Sequence, residues 1–418
     1  MRPSNTLPQP TFSIKLKRRL LPIIVGLLLV LELLVPYRGW VVLLVGLGGV
    51  WLIATLWARS LASGLGVARE TRFSWKQVGD TLLERYTMTN DGWAPAEWLE
   101  LIDHSTVLGS TVVMGVPGHS SLRRHKQVIC SRRGLFTLGP TTLRSGDPFG
   151  IYEVELHDPS TASLMVMPPI VQLPGVEVGP GRRTGEGRPL QVLLERTVSS
   201  SRVTDYFPGD SLNWIHWPTS ARLNSLYVRR FDSTPAADWW IVLDLDNAVQ
   251  VGQGQDSTEE AAIVLAASLA DRALRERHPV GLTADEGKIW LPPRADAAQR
   301  WEILLALTLA STSESTLSEL LRGLRSSIQD FSSLIIISSS TNGEWVGDLI
   351  PLVLRGAVPT VLLLDPISFG GSASLSKTVE ALARTGIHHT IIQKEQLEPI
   401  GSNAREERLE VTNWEPLT

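Results

Sequence analysis

The chain has 418 residues, of which 43% are hydrophobic and 20% are charged, a composition that excludes wholesale disorder and allows two or three domains. Its single cysteine, Cys130, excludes an intrachain disulfide framework and a cysteine-rich zinc module. The net charge is −4, and because residues 1–19 hold five basic and no acidic side chains, the remainder carries −9, which disfavours nucleic acid as a partner.

Residues 20–57 follow this basic N-terminus and contain two apolar runs, 20–36 and 40–57. As helices they would span roughly 26–27 Å each, a little less than a hydrocarbon core of about 30 Å. Only three residues connect them, so we predict an antiparallel pair of transmembrane helices in the cell membrane. The excess of Lys and Arg outside the two runs predicts that both termini are cytoplasmic and that Arg38 lies outside.

A cleaved signal peptide and a buried core hairpin are the alternatives to this membrane hairpin. A signal peptide, however, has one shorter apolar run followed by a small-residue cleavage site. Glu32 is the misfit in the first run. An intramembrane carboxylate is costly unless it reaches the interface or is paired, so we expect Glu32 to snorkel outward or to pair within an oligomer.

Residues 67–168 change to a pattern of period two, which predicts β-strands. In the clearest run Leu82, Glu84, Tyr86 and Met88 alternate with the residues between them, and a turn signal follows at Asn90. Several short strands over about 100 residues are typical of an immunoglobulin-like β-sandwich. Residues 169–195 are rich in glycine and proline and are predicted to be a linker without a phosphate-binding loop.

Residues 196–237 contain the most distinctive motif of the chain, with arginines and aspartates around two tryptophans. A charge-assisted structural network is the first interpretation. A hydrolase triad of Ser220, His216 and Asp210 is a second, although no Gly-x-Ser-x-Gly elbow accompanies it and Pro218 interrupts the helical spacing of the serine and the histidine. A docking surface is a third, because Trp, Tyr and Arg are favoured interface anchors.

At this motif the chain resembles the bacterial domain of unknown function 58 (DUF58) family. The matching residues, which we predict to be structural or docking residues, are Arg202, Tyr206, Gly209, Asp210, Ile215, Trp217, Ala221, Arg222, Leu226, Val228 and Arg229. The resemblance implies a membrane protein that works with a MoxR-type AAA+ ATPase.

Residues 238–395 alternate apolar strands with helical patterns, which predicts a doubly wound α/β sheet. The clearest helix begins near Thr258, a possible cap. Within the family this segment resembles a von Willebrand factor A domain, in which ligands bind at the carboxyl ends of the strands. Residues 396–418 are predicted to be a polar tail.

A metal site of the A-domain kind is degenerate in this chain. The resemblance aligns Asp244 with the first ligand position, but Asp246 and Ala248 replace the two serines that follow. Hard cations need several oxygen ligands, so Asp244 and Asp246 are weak metal candidates and we expect no bound metal or other cofactor.

The sequence therefore predicts a multidomain protein with a transmembrane helical hairpin, a β-sandwich and an α/β A-like domain. We expect a non-enzymatic scaffold or adaptor on the cytoplasmic face of the membrane, in contact with lipid through residues 20–57 and with a MoxR-type AAA+ ATPase that assembles or matures protein complexes. The alternatives are a hydrolase and a metal-dependent adhesion module.

Overall fold

The structure is a computed structural model that describes residues 10–106, 109–173, 176–178, 201–205, 217–223, 225–231, 238–326, 328, 332–397 and 413–416. The chain divides into two compact units. We refer to residues 1–168 with 401–418 as the β unit, and to residues 169–400 as the α/β unit.

The first part of the chain contains β1 (Thr11–Leu16), α1 (Leu20–Leu34), α2 (Arg38–Gly64), β2 (Leu65–Thr71), β3 (Trp75–Gln77), β4 (Thr81–Asn90), β5 (Ala96–Asp103), β6 (Ser110–Val116), β7 (Ser120–Ile129), β8 (Gly134–Leu138), β9 (Thr141–Gly146), β10 (Tyr152–Asp158) and β11 (Ala162–Met167). The α/β unit contains β12 (Ser201–Asp205), α3 (Trp217–Leu223), β13 (Tyr227–Phe231), β14 (Trp239–Leu243), α4 (Thr258–Arg275), β15 (Val280–Ala284), β16 (Ile289–Arg294), α5 (Ala297–Leu309), α6 (Leu317–Leu324), β17 (Ser333–Ser338), α7 (Ile350–Leu354), β18 (Val358–Leu364), α8 (Ser376–Thr385) and β19 (His388–Ile392). The last strand, β20 (Asn413–Pro416), belongs to the β unit.

The β unit is built mainly from two antiparallel sheets, with strand orders β1-β10-β9-β5-β6 and β2-β4-β7-β20. A smaller sheet has the order β3-β11-β8. One apolar cluster joins the two main sheets, since it contains Tyr86 and Met88 of β4 together with Leu101 of β5, Leu143 of β9 and Val154 of β10. The predicted β-rich segment is thus confirmed. β20 pairs with β7, so a strand lies within the segment that the sequence predicts to be a polar tail.

The two apolar runs form helices of unequal length. Among the described residues, only α2 is long and apolar enough to cross a membrane, whereas α1 has 15 residues. The last turns of α2 are buried in the β unit, because Ala58 and Leu61 belong to the same apolar cluster as the strands. Near the connection, the backbone N–H of Tyr37 donates to a carboxylate oxygen of Glu32 at 3.3 Å. Glu32 therefore caps the turn between the helices.

The basic N-terminus contains a strand that the sequence does not predict. β1 pairs antiparallel with β10, so that Leu16 lies opposite Tyr152. Lys17 forms an ion pair with Glu153 at 3.0 Å, and Lys15 pairs with Glu155. Residues on the N-terminal side of α1 are therefore part of the domain that follows α2.

The α/β unit is organised around a six-stranded sheet with the order β16-β15-β14-β17-β18-β19. All neighbours are parallel except β15 and β16, which are antiparallel. The strand order reverses between β14 and β17, which makes the carboxyl ends of these two strands the topological switch point. The predicted succession of strands and helices is confirmed by these elements.

The helices of this unit begin and end where local chemistry dictates. α6 has a capping box, in which Thr316 and Glu319 satisfy each other's backbone N–H groups. The cap of α4 is Ser257, which accepts from Glu260, and the predicted cap Thr258 is buried instead and donates to Gln250. Four leucines of α6 pack in one cluster with residues of β14, β17 and β18.

Candidate functional site

The described part of the signature motif is a two-stranded antiparallel sheet with one short helix. In the register of β12 and β13, Arg202 lies opposite Arg230, and Val203 lies opposite Arg229. The two motif arginines at 202 and 229 are therefore on neighbouring strands, one step apart. The remaining motif residues and the proposed base lie outside the described residues: Tyr206, Gly209, Asp210, Ile215 and His216.

Ser220, the nucleophile of the hydrolase hypothesis, is buried at 8% exposure. Its hydroxyl oxygen accepts the backbone N–H of Tyr227 at 2.9 Å and lies 3.4 Å from the carbonyl oxygen of the same residue. Both bonds tie α3 to β13. This is a structural role, and it occupies the hydroxyl that a nucleophile would need to present to a substrate.

Other residues of the motif lie on the surface of α3 and the turn after it. Trp217 is 66% exposed, Leu223 is 57% exposed and Leu226 is 44% exposed. The side chains of Ala221 and Arg222 are exposed as well. We refer to Trp217, Arg222, Leu223 and Leu226 as the α3 surface. An exposed tryptophan beside an arginine and two leucines has the composition of an interface centre.

The switch point of the six-stranded sheet holds Asp244, directly after β14, next to the end of β17. Asp244 is only 1% exposed. One carboxylate oxygen accepts from the hydroxyl of Ser338 at 2.5 Å, and the other accepts from the backbone N–H of Asp246 at 3.2 Å. Burial raises the pKa of Asp244 to about 6, and these two hydrogen bonds offset part of that rise because they stabilise the ionised form.

The loop after β14 is held by its own hydrogen bonds. The side chain of Asp246 accepts from the N–H of Ala248 at 2.9 Å, and the amide of Gln250 donates to the carbonyl of Asp244 at 3.0 Å. Ser339 donates to the carbonyl of Val249 at 2.8 Å, which fastens the loop to the end of β17.

These residues do not fit a hard cation well. Both oxygens of Asp244 already accept hydrogen bonds from the protein, and the side chain of Asp246 is turned to its own loop. Within the part of the chain that the structure describes, no three His, Cys, Asp or Glu side chains form a metal-binding group. A cation would need more oxygen ligands than this loop supplies.

A second polar site, inside the β unit, is one that sequence reasoning missed. We refer to Arg69, Glu84, Asp103 and Lys126 as the ion cluster. The guanidinium of Arg69 donates to Glu84 at 3.0 Å and lies 3.3 Å from Asp103, while Lys126 pairs with Asp103 and lies 3.5 Å from Glu84. The side chains of Glu84, Asp103 and Lys126 are 0% exposed.

The ion cluster perturbs the groups within it. Burial would raise the pKa of Asp103, but hydrogen bonds from Lys126 and Ser105 outweigh burial and hold that pKa below its ordinary value. Burial and the charge of Glu84 raise the pKa of Tyr86, so its phenol stays protonated. A sequence signal did exist, because Glu84 occupies an inward position of β4 between Leu82 and Tyr86.

Comparison with known proteins gives a match to one family model over part of the chain. Residues 202–367 match the family model described as "Protein of unknown function DUF58". This segment contains the signature motif, β14 and β17. No curated protein matches the chain.

Solved structures give only weak likenesses. A CARDB domain from Pyrococcus furiosus, in complex with di-metal ions, is 6% identical with a TM-score of 0.18 and covers 25% of this chain and 94% of its own. The β-glucosidase of Listeria innocua in complex with glucose is 8% identical with a TM-score of 0.17, over 24% of this chain and 16% of its own. The alkylpurine DNA glycosylase AlkC of Pseudomonas fluorescens is 12% identical with a TM-score of 0.18, over 35% of this chain and 42% of its own.

The chain thus spans less than half the length of the two enzymes. At such TM-scores the three likenesses do not bear on the fold or the function of this chain. The family match is independent of them, and it confirms the resemblance to DUF58 over residues 202–367.

Proposed function

We propose that this protein is a membrane-anchored, non-enzymatic adaptor on the cytoplasmic face of the cell membrane. In this proposal α1 and α2 form a transmembrane hairpin with both termini inside. The α/β unit is a von Willebrand factor A-like domain, and the α3 surface binds a MoxR-type AAA+ ATPase that assembles or matures protein complexes.

The observation that carries the topology of this anchor is the pairing of β1 with β10. β1 precedes α1, and β10 follows α2, yet the two strands share six residue pairs in one sheet. A chain that leaves a domain before α1 and returns to it after α2 must begin and end the two membrane crossings on the same side. The pairing therefore supports a hairpin whose two ends lie on one face of the membrane.

The sheet of the α/β unit supports the A-like assignment. Numbered within the unit from β14, its strand order is 3-2-1-4-5-6, with the third strand antiparallel. Two features of the site favour binding over catalysis. Asp244 is buried and accepts a hydrogen bond from Ser338, and the hydroxyl of Ser220 accepts one from the backbone of Tyr227. Neither side chain is therefore presented to a substrate.

The identity of the partner is inferred from the family resemblance, and the α3 surface is the exposed part of the motif to which a partner could bind. The sequence has no phosphate-binding loop, so ATP-driven work would require a second protein. An exposed Trp217 and Arg222 on one short helix would give such a protein an aromatic anchor and a charged one.

Affinity purification from detergent-solubilised native membranes, at near-physiological salt, tests this proposal. The wild-type chain is expected to recover an AAA+ ATPase, and Arg222→Ala and Asp210→Ala are expected to lose it while remaining folded. Arg384→Ala is the matched control, because Arg384 is an exposed arginine near the end of another helix of the same unit. Recovery of no ATPase by the wild type would contradict the proposed partnership, and equal recovery by all four chains would contradict the motif as the docking site.

A further inference from the structure

Strand register brings one end of the β unit next to the two apolar helices. Leu16, the last residue of β1, lies opposite Tyr152, the first residue of β10. The backbone N–H groups of Lys17 and Arg18 both point to the carbonyl of Ile151, at 2.8 and 3.3 Å. The turn of residues 147–151 therefore adjoins the start of α1.

A second turn, residues 91–95, adjoins the end of α2. The N–H of Asp91 donates to the carbonyl of Gly64 at 2.8 Å. The indole of Trp57 donates to the carbonyl of Pro95 at 3.1 Å and packs edge-on against Trp93, with ring centroids 5.6 Å apart. We refer to residues 91–95 and 147–151 as the helix-side end of the β unit.

Each turn of the helix-side end exposes a large aromatic side chain. Trp93 is 55% exposed and Phe149 is 45% exposed. Exposed arginines occur in the adjoining segments, at positions 18 and 19 before α1 and at position 59 in α2. Aromatic rings together with arginines are the combination that is found at membrane interfaces, where the rings enter the headgroup layer and the cations meet anionic lipids.

The lengths of the two helices also indicate that this end of the β unit lies at the membrane surface. α1 has 15 residues and is about 22 Å long. On α2, the indole of Trp51 donates to the hydroxyl of Tyr152 at 2.9 Å, and Trp51 lies only 13 residues after the start of α2. A hydrocarbon core of about 30 Å needs about 20 residues. On α2 the exposed apolar surface continues past Trp51 through Leu52, Ile53 and Leu56, at 59, 49 and 46% exposure. Apolar helix surface thus runs alongside the β unit instead of ending before it.

We propose that the helix-side end of the β unit is itself a lipid-binding surface, which rests in the anionic headgroup layer with Trp93 and Phe149 inserted. The β unit then sits on the membrane and lengthens the apolar span of the short hairpin. This inference rests on the proposed membrane anchoring, and it adds a second, non-helical contact with the bilayer.

Spin labels in nanodiscs of phosphatidylcholine and phosphatidylglycerol test the surface on the full-length chain. Labels are attached at Trp93→Cys and, independently, at Phe149→Cys, and their accessibility to oxygen is compared with that to a nickel chelate. Phe73→Cys is the matched control, since Phe73 is an aromatic residue of 55% exposure after β2, at the opposite end of the strands. Leu43→Cys on α2 reports the anchor itself, and treated wild-type chain gives the background from Cys130.

We expect the ratio of oxygen to nickel accessibility at 93 and 149 to exceed that at 73 several-fold and to approach that at 43. Water-like values at 93 and 149 with a lipid-like value at 43 would overturn the lipid-binding surface and leave the anchor intact. A water-like value at 43 would overturn both. Labels at 93 and 149 that are shielded from both reagents would overturn it, because the two positions would then be covered by protein and not by lipid.

Discussion

At the scale of single residues, the ion cluster of the β unit shows charged side chains buried at inward positions of β-strands. Taking charges out of water is expensive, and the attraction between them compensates only while every partner is present. Arg69, Glu84, Asp103 and Lys126 come from four strands, so the cluster stabilises one mutual arrangement of those strands. Its removal should therefore cost more than that of any ion pair at the surface.

We predict that Asp103→Asn destabilises the β unit by about 3–5 kcal/mol, because it leaves the buried charge of Lys126 without its closest carboxylate. Glu70→Gln is the control, since the exposed pair of Glu70 and Arg85 at 3.5 Å should contribute only about 0–1 kcal/mol. Urea unfolding read by pulse proteolysis measures both. A loss at Asp103 no greater than that at Glu70 would show that the cluster is not a stabilising contact.

The same variant carries a pH signature. The pKa of Asp103 lies below its ordinary value in the folded protein, so its contribution is present at neutral pH and disappears as the pH falls through the folded-state value. The gap in stability between wild type and Asp103→Asn should therefore narrow only below about pH 4.

At the scale of elements, the sequence predicts strands and helices wherever one pattern dominates. The alternation of inward and outward residues from Leu82 to Met88 predicts β4, and the apolar runs at 280–284 and 334–338 predict β15 and β17. The site at the end of β14 follows from the same logic, because Asp244 ends an apolar run. The hydrogen bond from Ser338 to Asp244 cannot be predicted from the sequence pattern, since it joins residues 94 positions apart.

The end of α2 is where local pattern fails. Residues 58–64 continue the helix beyond the apolar run, because Ala58, Leu61 and Gly64 face the core of the β unit and only the tertiary contact identifies them. Gly64 is the closest approach, since a β-carbon there would lie 2.2 Å from the backbone nitrogen of Gly92.

We predict that Gly64→Ala pushes α2 away from the turn at Gly92 and costs the β unit about 1–3 kcal/mol. Gly46→Ala is the matched control on the same helix, because a β-carbon at Gly46 meets no atom within 4 Å and alanine favours helix. Hydrogen exchange of β4 and β5 peptides in detergent measures both changes. Equal protection in the two variants would mean that α2 does not bear on the β unit at this point.

At the scale of the whole molecule, the termini of the hairpin are tied together by a pairing that no local pattern reveals. β1 is exposed along its length and alternates polar with apolar residues, and its partner β10 follows about 140 residues later. Charge alone predicts both termini on the cytoplasmic side. The pairing of Lys17 with Glu153 brings a residue before α1 into contact with a residue after α2, and the side of the membrane on which they lie stays a prediction.

Labelling with a membrane-impermeant maleimide in spheroplasts checks this orientation. We predict that Arg38→Cys, at the first residue of α2, is labelled from outside, and that Glu70→Cys, at a side chain of 63% exposure in the β unit, is labelled only after permeabilisation. The wild type is the blank, because burial raises the pKa of Cys130 to about 11 and leaves almost no reactive thiolate at neutral pH. Labelling of Glu70→Cys alone before permeabilisation would invert the orientation, and equal labelling of both variants or of neither would mean that the hairpin does not cross the membrane.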